Sequence, residues 1–268
     1  MSNKKNKKRG KFILLEGISG CGKSTLAKRL VSYLVERGVE VVLNAEPTKT
    51  SSFGKTVRAV IEGNEVSSED LLKLKTDTMF LEVMCGSTVD IKKFCGILDR
   101  VPRKLLIGKE LTELERQALF IADRFTDIVE TIIPALDAGK WVVQDRYDLS
   151  NFAYGSAHGV ALAELSRWHD IVLEDEYIIP DITFLIDIGP AEAVERLKKS
   201  GKPIDLHEGL ESLTAIRNEY DVVIKAQASL ADEGKEAHSV VILDGDQPVH
   251  EVFEDMKGKL IKYHILKK

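Results

Sequence analysis

A chain of 268 residues, 44% hydrophobic and 30% charged, has the size and balance of an ordinary globular enzyme with a sizeable core. No apolar run approaches the roughly 18 residues that cross a bilayer as a helix, which argues against a membrane partner. The three cysteines, Cys21, Cys85 and Cys95, lack metal-ligand spacing and read as reduced thiols of a cytoplasmic protein.

In chain order, residues 1–10 read as a basic tail. Lys4, Lys5, Lys7, Lys8 and Arg9, with Lys11 just beyond, stand without an acid although the net charge is −5. Such cations can contact nucleic-acid phosphates. No aromatic residue interrupts them as a stacking platform, so a solvated tail is the favoured reading and nucleic acid is not expected as a partner.

Residues 11–268 read as a single domain. Phe12-Ile-Leu-Leu-Glu16 is too short for a signal-peptide core and reads as the first strand. Further strands are expected at 39–44, 141–145, 182–187 and 239–243, each short, rich in β-branched residues and nearly apolar, as in a parallel sheet covered on both faces. Helical patterns occupy 24–37, 113–137, 209–231 and 248–262. The first places Leu26, Leu30, Tyr33 and Leu34 on one face and stops at Gly38. Strands alternating with helices predict an α/β fold, a doubly wound five-stranded parallel sheet whose ligands bind at the carboxyl ends of the strands. Residues 66–112 break the alternation. They read as a helical insertion with helix starts at Ser67 and Thr112, which head segments that echo each other, Gly63-Asn-Glu-Val-Ser and Gly108-Lys-Glu-Leu-Thr.

The chemistry starts at Gly17-x4-Gly22-Lys23-Ser24, a phosphate-binding loop placed after a strand and before a helix. Glycines let the backbone N–H groups turn inward, and the helix N-terminus adds partial positive charge. Lys23 reaches the β- and γ-phosphates of a bound triphosphate, and the Ser24 hydroxyl is a Mg²⁺ ligand. Gly17, Ser19, Gly20, Cys21, Gly22 and Thr25 complete the expected ATP cradle. GTPases, helicases and small-molecule kinases share such a loop, so the acceptor is sought at the other strand ends.

Those ends carry Ala45-Glu46-Pro47 and Asp145-Arg146-Tyr147. Asp145 suits a metal-bound water or a sugar hydroxyl, and the Arg146 fork suits a phosphate. Phe120 and Arg124, four apart on a helix, face the same way, as an aromatic ring and a donor around a nucleobase do. A core aromatic is the alternative for Phe120. An unpaired guanidinium beside it would be costly in a core. The six histidines lack ligand spacing and read as surface or lid residues, and no nucleophile is assigned.

Phe120-Ile-Ala-Asp-Arg124, Ile132-Ile-Pro-Ala-Leu-Asp-Ala-Gly139, Asp145-Arg146-Tyr147, Ala153-Tyr154, Pro180-Asp-Ile-Thr-Phe-Leu-Ile-Asp187 and Arg217-x2-Tyr220 together resemble the thymidylate kinase family. The resemblance implies a P-loop nucleoside-monophosphate kinase fold, usually homodimeric, that moves the ATP γ-phosphoryl group to dTMP with Mg²⁺. It implies that Phe120 stacks on thymine, Arg124 bonds its O4, and Asn151 contacts the base. It further implies that Tyr154 crowds the sugar 2′ position, that Arg58, Arg146 and Glu46 line the acceptor phosphate side, and that Ser24 and Asp145 hold the metal. A lid at about 196–208, with Arg196, Lys198, Lys199 and Lys202, would close over the triphosphate, so Lys23, Asp145, Arg146, Arg196 and Lys199 are the expected catalytic set.

Several positions depart from the family pattern. Ser19 stands where an acid is usual, Gly20 where one branch has arginine, and Ala45 where arginine precedes Glu-Pro. Gly155 replaces a glutamine, and Asp205-Leu-His-Glu208 replaces a lid motif that contains arginine. These departures keep two other readings open: a kinase for a different acceptor, such as dUMP, UMP or a deoxynucleoside, and a weakly active nucleotide-binding regulator.

Overall fold

The computed structural model describes residues 9–201, 205–235 and 237–266, so most of the basic tail and Lys202 lie outside the described residues. β1 (Phe12–Glu16) runs through the glycine loop into α1 (Lys23–Val35), and β2 (Val41–Ala45) into α2 (Ser52–Ile61). Next come α3 (Ser68–Met84), α4 (Val89–Leu98), α5 (Arg100–Leu106) and α6 (Glu113–Asp127). A π-helical turn at Ile128–Ile132 joins α6 to α7 (Ile133–Asp137), followed by β3 (Trp141–Asp145), α8 (Asp148–Ala157) and α9 (Leu162–Leu173). The chain finishes with β4 (Ile182–Asp187), α10 (Pro190–Lys199), α11 (Leu210–Asp232), β5 (Val240–Asp244) and α12 (Val249–Lys262).

All five strands are parallel, in the order β2-β3-β1-β4-β5. β1 therefore lies at the centre, and the chain leaves it toward one edge before crossing to the other. Its side chains alternate between two cores. Ile13 and Leu15 pack under α1, α8, α11 and α12, whereas Phe12 and Leu14 pack with α2 to α6 and α9. Full burial on both faces is why β1 reads as an unbroken apolar run. The edge strands differ from the sequence expectation. Leu43 of β2 and Ile242 of β5 are exposed, because an edge strand has a neighbour on one side only.

The 113–137 pattern is one helical path with a fault. Pro134 has no N–H to bond the carbonyl of residue 130, and its ring crowds that carbonyl, so the turn ahead of it widens to π geometry. Thr112 makes the full capping box with Glu115. Ser67 caps α3 by accepting from the Asp70 N–H. Gly63 and Gly108 adopt left-handed φ just past α2 and α5. The echo between the two segments is thus repeated helix-stop and helix-start chemistry. α3 is apolar on both sides: Leu74 and Leu81 enter the second core and Leu71 is buried, while Leu72, Met79, Phe80 and Val83 point outward.

A hydrogen-bonded pair fastens edge strand β2 to α6, where half-buried Asn44 donates from Nδ2 to both carboxylate oxygens of buried Asp127 at 2.7 Å. Burial, opposed by those bonds and reinforced by the Asp123 charge, pushes the Asp127 carboxyl from its ordinary 3.8 up to about 6. The folded chain holds this proton more tightly than the unfolded chain. The stabilisation is therefore complete below the unfolded pKa and is lost as pH rises through 6. Asp127→Asn should accordingly gain about 2 kcal/mol relative to the parent chain between pH ~4 and pH ~7.5. Urea unfolding at the two pH values measures this, and a pH-independent difference would refute it.

Candidate active site

The sheet register brings three strand ends level. Leu15 pairs with Asp145 and Ala45 pairs with the same residue, so Glu16, Glu46 and Arg146 form the next row at the rim. Two backbone bonds extend the row, Glu46 N–H to Asp145 O and Arg146 N–H to Leu15 O, both at 3.0 Å. Here the phosphate loop and the Asp-Arg-Tyr segment meet.

Within the loop, Gly20 has φ 82, and a Cβ there would lie 2.5 Å from the Ala193 carbonyl oxygen. No side chain fits, which explains the absence of a loop arginine at that position. Lys23 Nζ donates to the Gly17 and Ile18 carbonyls at 2.9 and 2.8 Å and approaches buried Cys21 Sγ at 3.4 Å. Ser24 Oγ donates to Asp145 Oδ2 at 2.5 Å, and Thr25 is exposed beside it. The hydroxyl and the carboxylate that the sequence marks as metal ligands are thus in direct contact.

Arg146 follows β3 with φ 72, a left-handed conformation that costs a non-glycine residue about 1–2 kcal/mol. That backbone turns its guanidinium onto the loop, where it donates to Gly17 O at 3.3 Å, Ser19 Oγ at 3.0 Å and Ser150 Oγ at 3.3 Å. Burial opposes its charge, but Tyr154, Tyr220, Asp145 and Glu16 outweigh that cost and keep it protonated. The guanidinium also lies 4.9 Å from the Tyr154 ring centre. The Tyr154 hydroxyl accepts from the Ser19 N–H at 3.1 Å. Ser19 thus touches both Arg146 and Tyr154. A hydroxyl at that point accepts from the arginine without adding the negative charge an acid would bring.

Glu16, which the sequence did not single out, anchors this end. It is fully buried and accepts from the Tyr147 and Ser150 N–H groups at 2.9 and 3.2 Å, from Tyr220 Oη at 2.9 Å and from Ser150 Oγ. Burial raises its carboxyl pKa against those bonds. Arg217, three residues before Tyr220, forms a forked pair with Asp187 at the end of β4, with both contacts at 2.8 Å.

The second half of the rim is built around Arg124. From the sequence Arg124 has no expected partner except a ligand, but in the structure it pairs with Glu46. Its Nε and Nη2 donate to Glu46 Oε1 and Oε2 at 3.1 and 2.5 Å, with both side chains almost wholly buried. Burial works against the Arg124 charge, and Glu46 more than restores it. Arg124 Nη1 lies 2.9 Å from His169 Nε2, which is 2.7 Å from Asn151 Oδ1, and Asn151 Nδ2 donates to Gln117 Oε1. Phe120, one turn earlier on α6, is half-buried against the second core. Arg58 on α2 donates to the Pro47 carbonyl. Asp123 accepts from Thr48 N, Thr48 Oγ1 and Ser51 Oγ at 2.7, 2.6 and 2.5 Å, stapling the loop after Glu46 to α6.

Gly155 also finds a physical reason. A Cβ there would lie 2.7 Å from Leu165 Cδ1 and 3.1 Å from Gln117 Cγ. The Gln117 side chain therefore enters, from α6, the space where a side chain of residue 155 would begin.

A cavity of about 560 Å³ opens on the other side of the loop, lined by Gly20, Gly22, Thr25, Arg196, Gly245 and Pro248 among others. Its far wall is the turn between β5 and α12, which carried no signal in the sequence. Arg196 lines it while pairing with Glu192 at 2.9 Å; Lys199 is exposed at the end of α10, and Lys198 pairs with Glu195 at 3.3 Å. The surface-or-lid reading of the histidines is overturned for His169 and His238, both buried in the core. His238 lies 3.1 Å from Asp148 Oδ2 and 2.7 Å from Tyr177 Oη, because side chains from distant elements supply its partners.

Removing one member of the Glu46–Arg124 pair strands the other in a dry site. Glu46→Ala should therefore lower stability by about 3–5 kcal/mol, and the double variant Glu46→Leu/Arg124→Met by clearly less. Urea unfolding of the three variants decides, and equal losses throughout would show the two residues to be uncoupled.

The family model described as thymidylate kinase matches residues 15–102 and 96–256. A "probable thymidylate kinase" of Pyrococcus abyssi is 30% identical over 258 residues, covering 96% of this chain and 98% of the relative. Another from Thermococcus kodakarensis is 33% identical over 209 residues, covering 78% and 82%. A "thymidylate kinase" of Carboxydothermus hydrogenoformans is 28% identical over 254 residues, covering 94% and 97%. The matched stretches span the phosphate loop, the Phe120–Arg124 helix and the Asp145–Tyr147 rim, and the chain belongs to the thymidylate kinase family.

Proposed function

We propose that this chain is an ATP:dTMP phosphotransferase that makes dTDP and ADP. The observation that carries the reading is the single rim on which Lys23, Ser24, Asp145 and Arg146 converge. A terminal oxygen of the dTMP phosphate attacks the γ-phosphorus of ATP, the bond to the β–γ bridging oxygen breaks, and ADP leaves with that electron pair. Such transfers need mostly positioning and charge stabilisation. Lys23 and the loop N–H groups hold the donor phosphates, and the cavity behind Gly20 takes the rest of the donor nucleotide. Arg146 and Arg58 hold the acceptor phosphate between them.

The contact between Ser24 and Asp145 suits Mg²⁺, a hard ion that takes a few oxygen ligands and keeps waters. Ser24 and Asp145 would hold the ion there, and its charge would offset that of the phosphates. Phe120 supplies an aromatic face for thymine, and Arg124, locked by Glu46, supplies the donor. Asn151 reaches the same region, and Tyr154 closes the sugar side. Arg196, which lines the cavity, serves in this reading as the lid cation, with Lys199 on the same helix. The three cysteines are free, which fits work in the cytoplasm. No described helix is long and apolar enough to cross a membrane.

Lys23→Ala should cut ADP formation with dTMP at least ~100-fold in a coupled assay, since the phosphate cradle loses the ammonium group that faces its donor phosphates. Activity within about tenfold of the parent chain would refute the role of the loop in transfer.

The working unit is a homodimer in this reading. Leu72, Met79, Phe80 and Val83 form an outward apolar stripe on α3, each more than 60% exposed in a single chain. A second copy laid across that stripe covers it. Phe80→Glu should convert the dimer to a monomer in light scattering coupled to size exclusion; a monomeric parent chain would refute the assignment.

A further inference from the structure

Phosphoryl transfer as proposed leaves one cluster of side chains unused. Glu113 starts α6, His158 follows α8, and His207 sits in the turn at 205–208. One ligand atom from each lies within 4.8 Å of the other two. Glu113 and His207 are buried and His158 is half-buried. We propose that Glu113, His158 and His207 form a binding site for a borderline transition-metal dication, with zinc as its representative.

Two imidazoles and one carboxylate are a ligand set that zinc accepts, with a water in the remaining position. The surroundings already orient the donors. His158 Nδ1 lies 2.7 Å from the Tyr154 carbonyl oxygen, which can only accept, so Nδ1 carries the proton and Nε2 presents its lone pair. That Nε2 faces His207 Nδ1 at 3.1 Å and Ser212 Oγ at 3.0 Å. The two rings pack with centroids 4.1 Å apart. Glu113 is held from behind: Arg116 Nε donates to Oε2 at 2.8 Å, and Gln117 Nε2 donates to Oε1. Backing hydrogen bonds of this kind set ligand orientation in metal sites.

The turn is itself preformed. His207 N–H donates to Asp205 Oδ1 at 2.9 Å, and Asp205 N–H donates to Glu208 Oε2 at 3.0 Å. A bound ion joins three pieces of chain that are distant in sequence, beside Tyr154. The result is a metal staple on the acceptor side, separate from the Ser24–Asp145 pair. Magnesium fits it poorly, because imidazole nitrogen is a weak ligand for so hard an ion.

The test uses the full-length, untagged chain with magnesium in excess. Zinc is titrated by calorimetry, and cobalt(II) by its visible absorption. One equivalent should bind without the near-ultraviolet thiolate band that cysteine ligation would produce. His158→Ala and His207→Ala should each weaken binding by about tenfold or more. Zinc should raise the thermal midpoint of the parent chain and not that of the variants. If an alanine variant fails to fold, His207→Gln and Glu113→Gln keep the side-chain volume and serve in its place. Absent binding, a thiolate band, or unchanged affinity in the folded variants would overturn the site.

Discussion

The register between β1, β2 and β3 is the constraint on which the functional half of the molecule depends. Leu15, Ala45 and Asp145 lie in one row, so the residues that follow them share a rim. A slip of one residue would turn every side chain of a strand to its opposite face and send Arg146 away from the phosphate loop. Burial of β1 on both faces prevents the slip, because Phe12 and Leu14 fill one core while Ile13 and Leu15 fill the other. Glu16 then secures the loop side, since its carboxylate gathers Tyr147, Ser150 and Tyr220 from two helices.

Several departures from the family pattern become coherent against that rim. Gly20 is required by the closeness of Ala193, so any replacement for a loop arginine comes from elsewhere; Arg196 lines the adjoining cavity. Ser19 accepts a hydrogen bond from Arg146 without adding the negative charge an acid would bring. Gly155 makes room for Gln117, whose amide continues the chain of contacts through Asn151 and His169 to Arg124. These substitutions alter which side chains supply charge and amide groups, while the rim keeps its geometry.

Much of this was legible in the residues because it is local. The phosphate loop announces itself through glycine spacing between a strand and a helix, and the five strands through short β-branched runs. Thr112 and Ser67 mark helix starts that the structure reproduces. Non-local pairing was not legible. Glu46 and Arg124 lie 78 residues apart, and nothing in either neighbourhood announces their pair. His169 and His238 are buried because partners arrive from other elements, which spacing within one segment does not reveal. The wall formed by Gly245 and Pro248 depends on how β5 and α12 are joined, and the π turn before Pro134 interrupts a pattern that looks continuous.

On this reading the rim accepts dTMP in preference to other monophosphates. The most direct measurement is ADP formation by the full chain with ATP and Mg²⁺ across dTMP, dUMP, UMP, dAMP and AMP. Turnover highest with dTMP, and lower with the ribose acceptor UMP than with dUMP, is the predicted result. Turnover with another monophosphate but none with dTMP would contradict the acceptor assignment, and no turnover with any of them would contradict the kinase reading itself.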